Sequence, residues 1–345
     1  MRSNRAGTAI LRHRVTVLAA GCEVGRRPQV LDADNVQIHG ADRLDFLRGR
    51  LRAGALTLRE RLLLADEFTA YGLPDEALPV IAGLRHDVAN ASALRFLERL
   101  VRVNGYLAGI ANPVTERSAP ERHARLLGPA SSFWPSPTAP DRLLVVLATA
   151  YNNFYVSFPV LHGILARHDR SILYVKNPGR GMYAGGSPGL GGSIDAMARG
   201  LARFAAARGI ADVRVCGFSS GGYAALHVAG VLKASSFLGF GAKTDWSAGS
   251  PLKVVAGRAA PSVEDRMGNT LVNLAGSAAM AGIGEAVLYH GALDPSDTAH
   301  ARNMAGLANF TIVPVAGASH NVIQHLMAQG RFDGILAQFL GAAAA

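Results

Sequence analysis

The stretch "VRVCGFSSGGYAAL", residues 213–226, passes from an apolar run through small and polar residues into a helical pattern. Inside it, Gly217-Phe218-Ser219-Ser220-Gly221 has the spacing G-x-S-x-G. A strand that turns directly into a helix forces its middle residue into a strained backbone conformation and crowds the neighbouring backbones. Side chains two positions before and after that residue would collide, and glycine removes the collision. The spacing therefore predicts Ser219 as an exposed hydroxyl at a helix N-terminus, where backbone N–H groups favour developing negative charge. Ser220 is expected to lend its N–H to that anion and not to act as the nucleophile. A free hydroxyl is a poor nucleophile at neutral pH, so a base is needed from elsewhere in the chain.

The pentapeptide lies between the apolar "VRVC" and the helical "YAALHVAGVL". In that setting, residues from about 142 to 341 resemble the α/β-hydrolase superfamily. The resemblance implies a chain order of nucleophile, acid and histidine. For the acid, "VLYHGALDPSD" supplies Asp294, three residues after Gly291, and Asp297 as a rival. Asp297 also reads as the N-cap of a helix beginning "TAHARNM", so Asp294 is the favoured acid. For the histidine, "FTIVPVAGASHNVIQHL" supplies His320 in the loop after the last strand, with His325 falling in the helix beyond. The resemblance implies that His320 is the general base for Ser219 and that Asp294 fixes its tautomer and stabilises its charged form. By the same analogy, the backbone N–H of Tyr151 in "VVLATAYNN" is the second oxyanion donor beside that of Ser220. Thr149 and Ala150 stand there in place of the family's frequent His-Gly. The resemblance implies no cofactor, and no metal-ligand spacing occurs in the sequence.

These residues need a scaffold that brings loop ends together. From 142 onward, apolar runs alternate with helical patterns: "RLLVVLAT", "SILYVK", "DVRVCGF", "SFLGFG", "EAVLYHG" and "FTIVPV" read as strands. Such runs predict an α/β fold, a mostly parallel sheet with helices on both faces, whose carboxyl-end loops form the site. The glycine-rich "NPGRGMYAGGSPGLGGS" places Gly179, Gly181 and Ala184 in a G-x-G-x-x-A spacing. The next helix is expected only near residue 194, too late for a dinucleotide site, so the stretch reads as a mobile loop flanking the active site. Residues 243–283, with Trp246, Pro251 and Met267, lie where family members insert a cap; an ordinary connection fits equally.

Upstream, residues 41–105 have helical periodicity, preceded by an N-terminal segment, 1–40. Ala65, Phe68, Gly72, Ala77 and Ile81 fall where a degenerate tetratricopeptide unit puts its packing residues, and the pair of helices resembles one such unit. A solenoid needs about three repeats, so a plain helical extension is the competing reading. Residues 106–141, rich in Pro, Ser and Ala, read as a linker with a short strand in "RLLGPASSFW", ahead of a hydrolase-like domain over 142–345.

Hydrophobic content of 49% with 17% charged residues over 345 positions describes a globular protein. The formal charge of +10 is carried by dispersed arginines with no aromatic interleaving, which argues against a nucleic-acid partner. No apolar run reaches the roughly 20 residues of a membrane span. The start, "MRSNRAGTAILRHRVTVLAAGC", is faintly like a lipoprotein signal ending at Cys22, but Arg12, His13 and Arg14 interrupt its apolar part. Two cysteines, Cys22 and Cys216, form no disulfide framework, so a cytoplasmic location is expected. The expectation is a serine hydrolase acting on a small acyl substrate, an ester or thioester, with a protein partner for the N-terminal helices open. The alternatives are an acyltransferase using the same three groups, or a non-catalytic scaffold with a hydrolase-like domain.

Overall fold

Arg142–Leu147 (β2), Ser171–Val175 (β3), Asp212–Phe218 (β4) and Ser236–Phe240 (β5) are buried over most of their length, as the unbroken apolar runs require. They form the middle of a seven-stranded sheet in the computed structural model, which describes residues 48–341 apart from 50, 55, 71, 89–90, 109–129, 151, 178–181, 248 and 253–270. Ser131–Trp134 (β1), Glu285–Gly291 (β6) and Phe310–Val315 (β7) complete the order β1-β3-β2-β4-β5-β6-β7. Every neighbouring pair is parallel except β1 with β3. The fold is the expected α/β class with a mostly parallel sheet. Cys22 lies outside the described residues.

Alternation along each strand divides the core in two. On β4, Val215 faces one side with Ile194–Ala207 (α5) and Ser220–Leu232 (α6). Cys216 and Phe218 face the other, with Phe158–Leu165 (α4), Val322–Ala328 (α8) and Phe332–Leu340 (α9). The short helix Pro295–Asn303 (α7) leads from β6 toward β7. Burial pushes the Cys216 thiol up, so it stays protonated and packs as a small apolar group.

Ahead of the sheet, Leu58–Ala70 (α1), Pro74–Arg85 (α2) and Ala91–Ala108 (α3) share a core of their own that includes Leu64, Phe68, Ile81, Leu84, Leu97 and Leu100. These helices also join the main core. Val103, Tyr106 and Leu107 of α3 belong to the cluster holding α8 and α9, and the Tyr106 and Phe332 rings meet edge-on at 6.1 Å. The stretch 106–141, read as linker, thus supplies the last turn of α3 and the edge strand β1. Its remaining residues 109–129 lie outside the described set.

Polar contacts reinforce the junction. Arg99 donates from Nη1 to the Tyr155 carbonyl at 2.5 Å and lies 4.9 Å from the centroid of its ring. The Ser157 hydroxyl, at the N-cap of α4, donates to Asp66 Oδ2 at 2.8 Å. Asp66 is buried and its second oxygen has no partner, so desolvation raises its carboxyl to about 7, outweighing the Ser157 bond and the Arg99 charge. A carboxyl whose folded value exceeds its unfolded one binds the extra proton in the native state. It therefore stabilises the fold at low pH and loses that contribution as pH rises through about 4 to 7. The expected result is a melting temperature that declines over this interval in wild type and declines less in Asp66→Asn. Thermal melts across pH 4–8 read the difference, and parallel curves would contradict it.

Candidate active site

β4 ends at Phe218 and α6 starts at Ser220, leaving Ser219 alone to make the bend. Its φ of 55° and ψ of −124° lie in a region that costs a non-glycine residue of order 1–3 kcal/mol. Neighbouring backbone holds it there: Ser219 N–H donates to Phe240 O at 2.9 Å. The flanking glycines are required by close approach. A Cβ on Gly221 would sit 2.5 Å from the Ala148 carbonyl oxygen, and one on Gly217 would sit 2.7 Å from the Gly222 Cα. The bend read from the pentapeptide is present, with the Ser219 hydroxyl standing beyond the end of the central strand.

Two other loops reach that hydroxyl. The loop after β6 and the loop after β7 are joined by backbone bonds, Ala292 N–H to Val315 O at 3.1 Å and Leu293 N–H to Ala318 O at 2.9 Å. The second of these loops carries His320, whose Nε2 lies 2.8 Å from Ser219 Oγ. The other ring nitrogen, Nδ1, lies 2.9 Å from both carboxylate oxygens of Asp297. An ionised carboxylate can only accept, so Nδ1 carries the proton and Nε2 is left to accept from the Ser219 hydroxyl. Phe218 stacks on the imidazole, centroids 5.4 Å apart and planes at 29°.

The carboxylate at His320 is therefore Asp297 and not Asp294. Asp294 is the N-cap of α7, accepting from the Asp297 N–H at 2.9 Å, with Pro295 in the first helical position. The local pattern Asp294-Pro295-Ser296-Asp297 is N-cap, N1, N2 and N3, so the third helical residue carries the carboxylate that meets His320. Proline directly after an aspartate was the available signal, since it favours the first helical position and makes the preceding residue the cap. Burial alone would raise the Asp297 carboxyl, but the His320 bond and the charges of His320 and Lys243 more than offset it, holding it below the usual carboxylate range.

Lys243 was not singled out from the sequence. Its Nζ lies 3.0 Å from Asp297 Oδ1 and 3.0 Å from Ser296 Oγ, while its own backbone N–H reaches Ser219 O at 3.3 Å. It sits in the loop after β5, and nothing local in the sequence marks it. Gly241, in the same loop with φ of 53°, is pressed against the site. A Cβ there would lie 2.9 Å from Asp297 Oδ2 and 3.3 Å from His320 Cε1. Gly241→Ala is expected to displace these side chains and cut kcat by about 10- to 100-fold with little change in KM. Steady-state kinetics on an aryl ester, with a melting curve to verify folding, would measure this; unchanged kcat would refute it.

Ser220 stands in the first turn of α6, where N–H groups lack intrahelical acceptors, and its hydroxyl oxygen accepts the Ala150 N–H at 2.9 Å. That bond ties the loop after β2 to the elbow; Tyr151 itself lies outside the described residues. His325 lies within α8, and its ring contacts Gln329, so it takes no part in the cluster. In the glycine-rich loop, Gly179 and Gly181 lie outside the described residues, and the following helix begins only at Ile194, capped by Ser193. The described part of that loop is held firmly. The buried Tyr183 hydroxyl lies 2.7 Å from Val175 O and 3.1 Å from Ala148 O, and Ser187 bridges to Gly191. In the 243–283 stretch, Asp245 bridges to Asn273 and two short 3-10 turns follow, with Met267 outside the described residues.

Asp294, Asp297 and His320 bring oxygen and nitrogen atoms within 4.8 Å of one another. Those atoms are engaged with one another and with the Asp297 N–H, an arrangement suited to moving a proton. Among the described residues, no helix is long and apolar enough to cross a membrane.

No protein-family model and no curated protein matches the chain in sequence. In three dimensions it is similar to carboxyl esterase 2 from the mycorrhizal fungus Tuber melanosporum, at 12% identity and a TM-score of 0.47 over 68% of this chain and 89% of that one. It is also similar to MenH from S. aureus, at 14% identity and a TM-score of 0.38 over 61% and 98%. XC6422 from Xanthomonas campestris, an α/β serine hydrolase without lid, is similar at 15% identity and a TM-score of 0.38 over 68% and 100%.

Proposed function

We propose that the protein is a serine hydrolase that cleaves a carboxylic ester or thioester through an acyl-Ser219 intermediate. The observation that carries this reading is the unbroken row from Ser219 Oγ to His320 Nε2 at 2.8 Å and from His320 Nδ1 to Asp297 at 2.9 Å. As Ser219 Oγ attacks the acyl carbon, its proton passes to His320 Nε2, and Asp297 stabilises the imidazolium that results. The carbonyl oxygen becomes an oxyanion facing the start of α6; the proposed donors are the N–H of Ser220 there and, by the family resemblance, that of Tyr151. Collapse of the tetrahedral species breaks the bond to the alcohol or thiol, which leaves with the proton from His320. Water then attacks the acyl-serine, again with His320 as base, releasing the acid and restoring the hydroxyl.

The strained backbone at Ser219 supports the nucleophile assignment, because such strain persists where a site requires it. A fluorophosphonate probe provides the test. Labelling of wild type on a peptide containing Ser219, and none of folded Ser219→Ala, is expected. Failure of the folded wild type to label would favour the scaffold reading instead.

A further inference from the structure

Lys243 stands out as a half-buried cation whose place the mechanism above does not use. Its side chain is 15% exposed, the Asp297 side chain is fully buried, and Nζ is bonded to the same carboxylate oxygen that faces His320 Nδ1. With Nζ and Nδ1 at 3.0 and 2.9 Å from Asp297 Oδ1, the ammonium and the ring are separated by less than 6 Å. The carboxylate thus has two suitors for its single charge. Asp297 and Lys243 form an ion pair at 3.0 Å and neutralise each other. When the ring takes a proton, Lys243 repels it across the shared oxygen.

We infer that Lys243 is a positioning residue of the proposed site: its ammonium shares Asp297 Oδ1 with His320 Nδ1 and so weakens the carboxylate's hold on a protonated ring. The inference rests on the Ser219–His320–Asp297 reading. Asp294 lies in the same cluster, with its carboxylate occupied by the Asp297 N–H. His300, behind Lys243, accepts the Thr244 N–H on Nδ1 at 3.2 Å and is lowered to about 4, first by burial and then by the Lys243 charge, so it is neutral. Asp245, beyond His300, is bonded to Ser247 and Ser250. Lys243 is therefore the group whose removal changes the charge next to Asp297.

Without that ammonium, the buried carboxylate would hold a proton on His320 to higher pH, and protonated His320 cannot act as base. The acid limb of the kcat/KM profile for a short-chain aryl ester is expected to move up by about one pH unit in Lys243→Gln. Activity below the limb would then fall about tenfold, and the loss would narrow as pH rises toward 9. Lys243→Met should move the limb in the same way, and Lys243→Arg should leave it in place. A merely structural lysine would give a loss equal at every pH. Such an even loss in Lys243→Gln, an unmoved limb, or a limb displaced equally in Lys243→Arg would overturn the inference. Turnover surviving in Ser219→Ala would instead overturn the proposed function, and this inference with it.

Discussion

Ser219→Ala is expected to lower kcat for ester hydrolysis by about a millionfold while leaving the melting temperature close to that of wild type. The size of the effect follows from the chemistry. Without the hydroxyl there is no acyl-enzyme, and what remains is binding plus whatever the oxyanion donors contribute to direct attack by water. The mildness of the effect on stability follows from the backbone. The bend is held by the bond from Ser219 N–H to Phe240 O and by the tight contacts at Gly217 and Gly221, all of which alanine keeps. The methyl of alanine meets the same strained φ as serine does. Stopped assays with purified variant, compared with the uncatalysed rate, measure the loss. A fall of only a few-fold would move the nucleophile elsewhere.

The second large effect separates two carboxylates that are three positions apart. Asp297→Ala is expected to reduce kcat by about ten-thousand-fold, because His320 loses the group that fixes its tautomer and stabilises its charged form. That variant also leaves Lys243 without its buried counter-ion, so a lower melting temperature accompanies the kinetic loss. Asp294→Ala should behave differently. It removes the cap of α7 and the bond to the Asp297 N–H, costing about 1 kcal/mol of stability, with only a small decline in kcat. Kinetics and thermal melts on the two variants together decide the matter. Equal losses of kcat, or the larger one in Asp294→Ala, would contradict the assignment of Asp297.

What could be read from the amino-acid order and what could not divide along a physical line. Strands β2 to β5 are visible as largely apolar runs because a parallel sheet covered on both faces buries most of each strand. The elbow is visible because steric crowding restricts residues two positions either side of Ser219 to glycine. His320 follows from its place after the last strand. Counting from Gly291 stops at Asp294, whereas the helix that starts at Pro295 carries the next carboxylate, Asp297, to the His320 ring. Lys243 and Gly241 were out of reach. Their roles come from β5 lying beside β6, an adjacency that brings the loop after residue 240 against residue 297 and leaves no trace in local periodicity.

The way α3 lies across the sheet domain has a practical consequence for anyone dividing this protein into parts. Val103, Tyr106 and Leu107 fill space among the final two helices, and Arg99 grips the carbonyl of Tyr155, whose ring abuts Phe218 beside the His320 imidazole. A shortened chain beginning at the first strand would bare the apolar residues of α8 and α9 that pack with α3 and free the Tyr155 carbonyl from Arg99. The leading helices thus share one core with the sheet, and expression of the trailing two-thirds by itself would yield sticky, poorly behaved material.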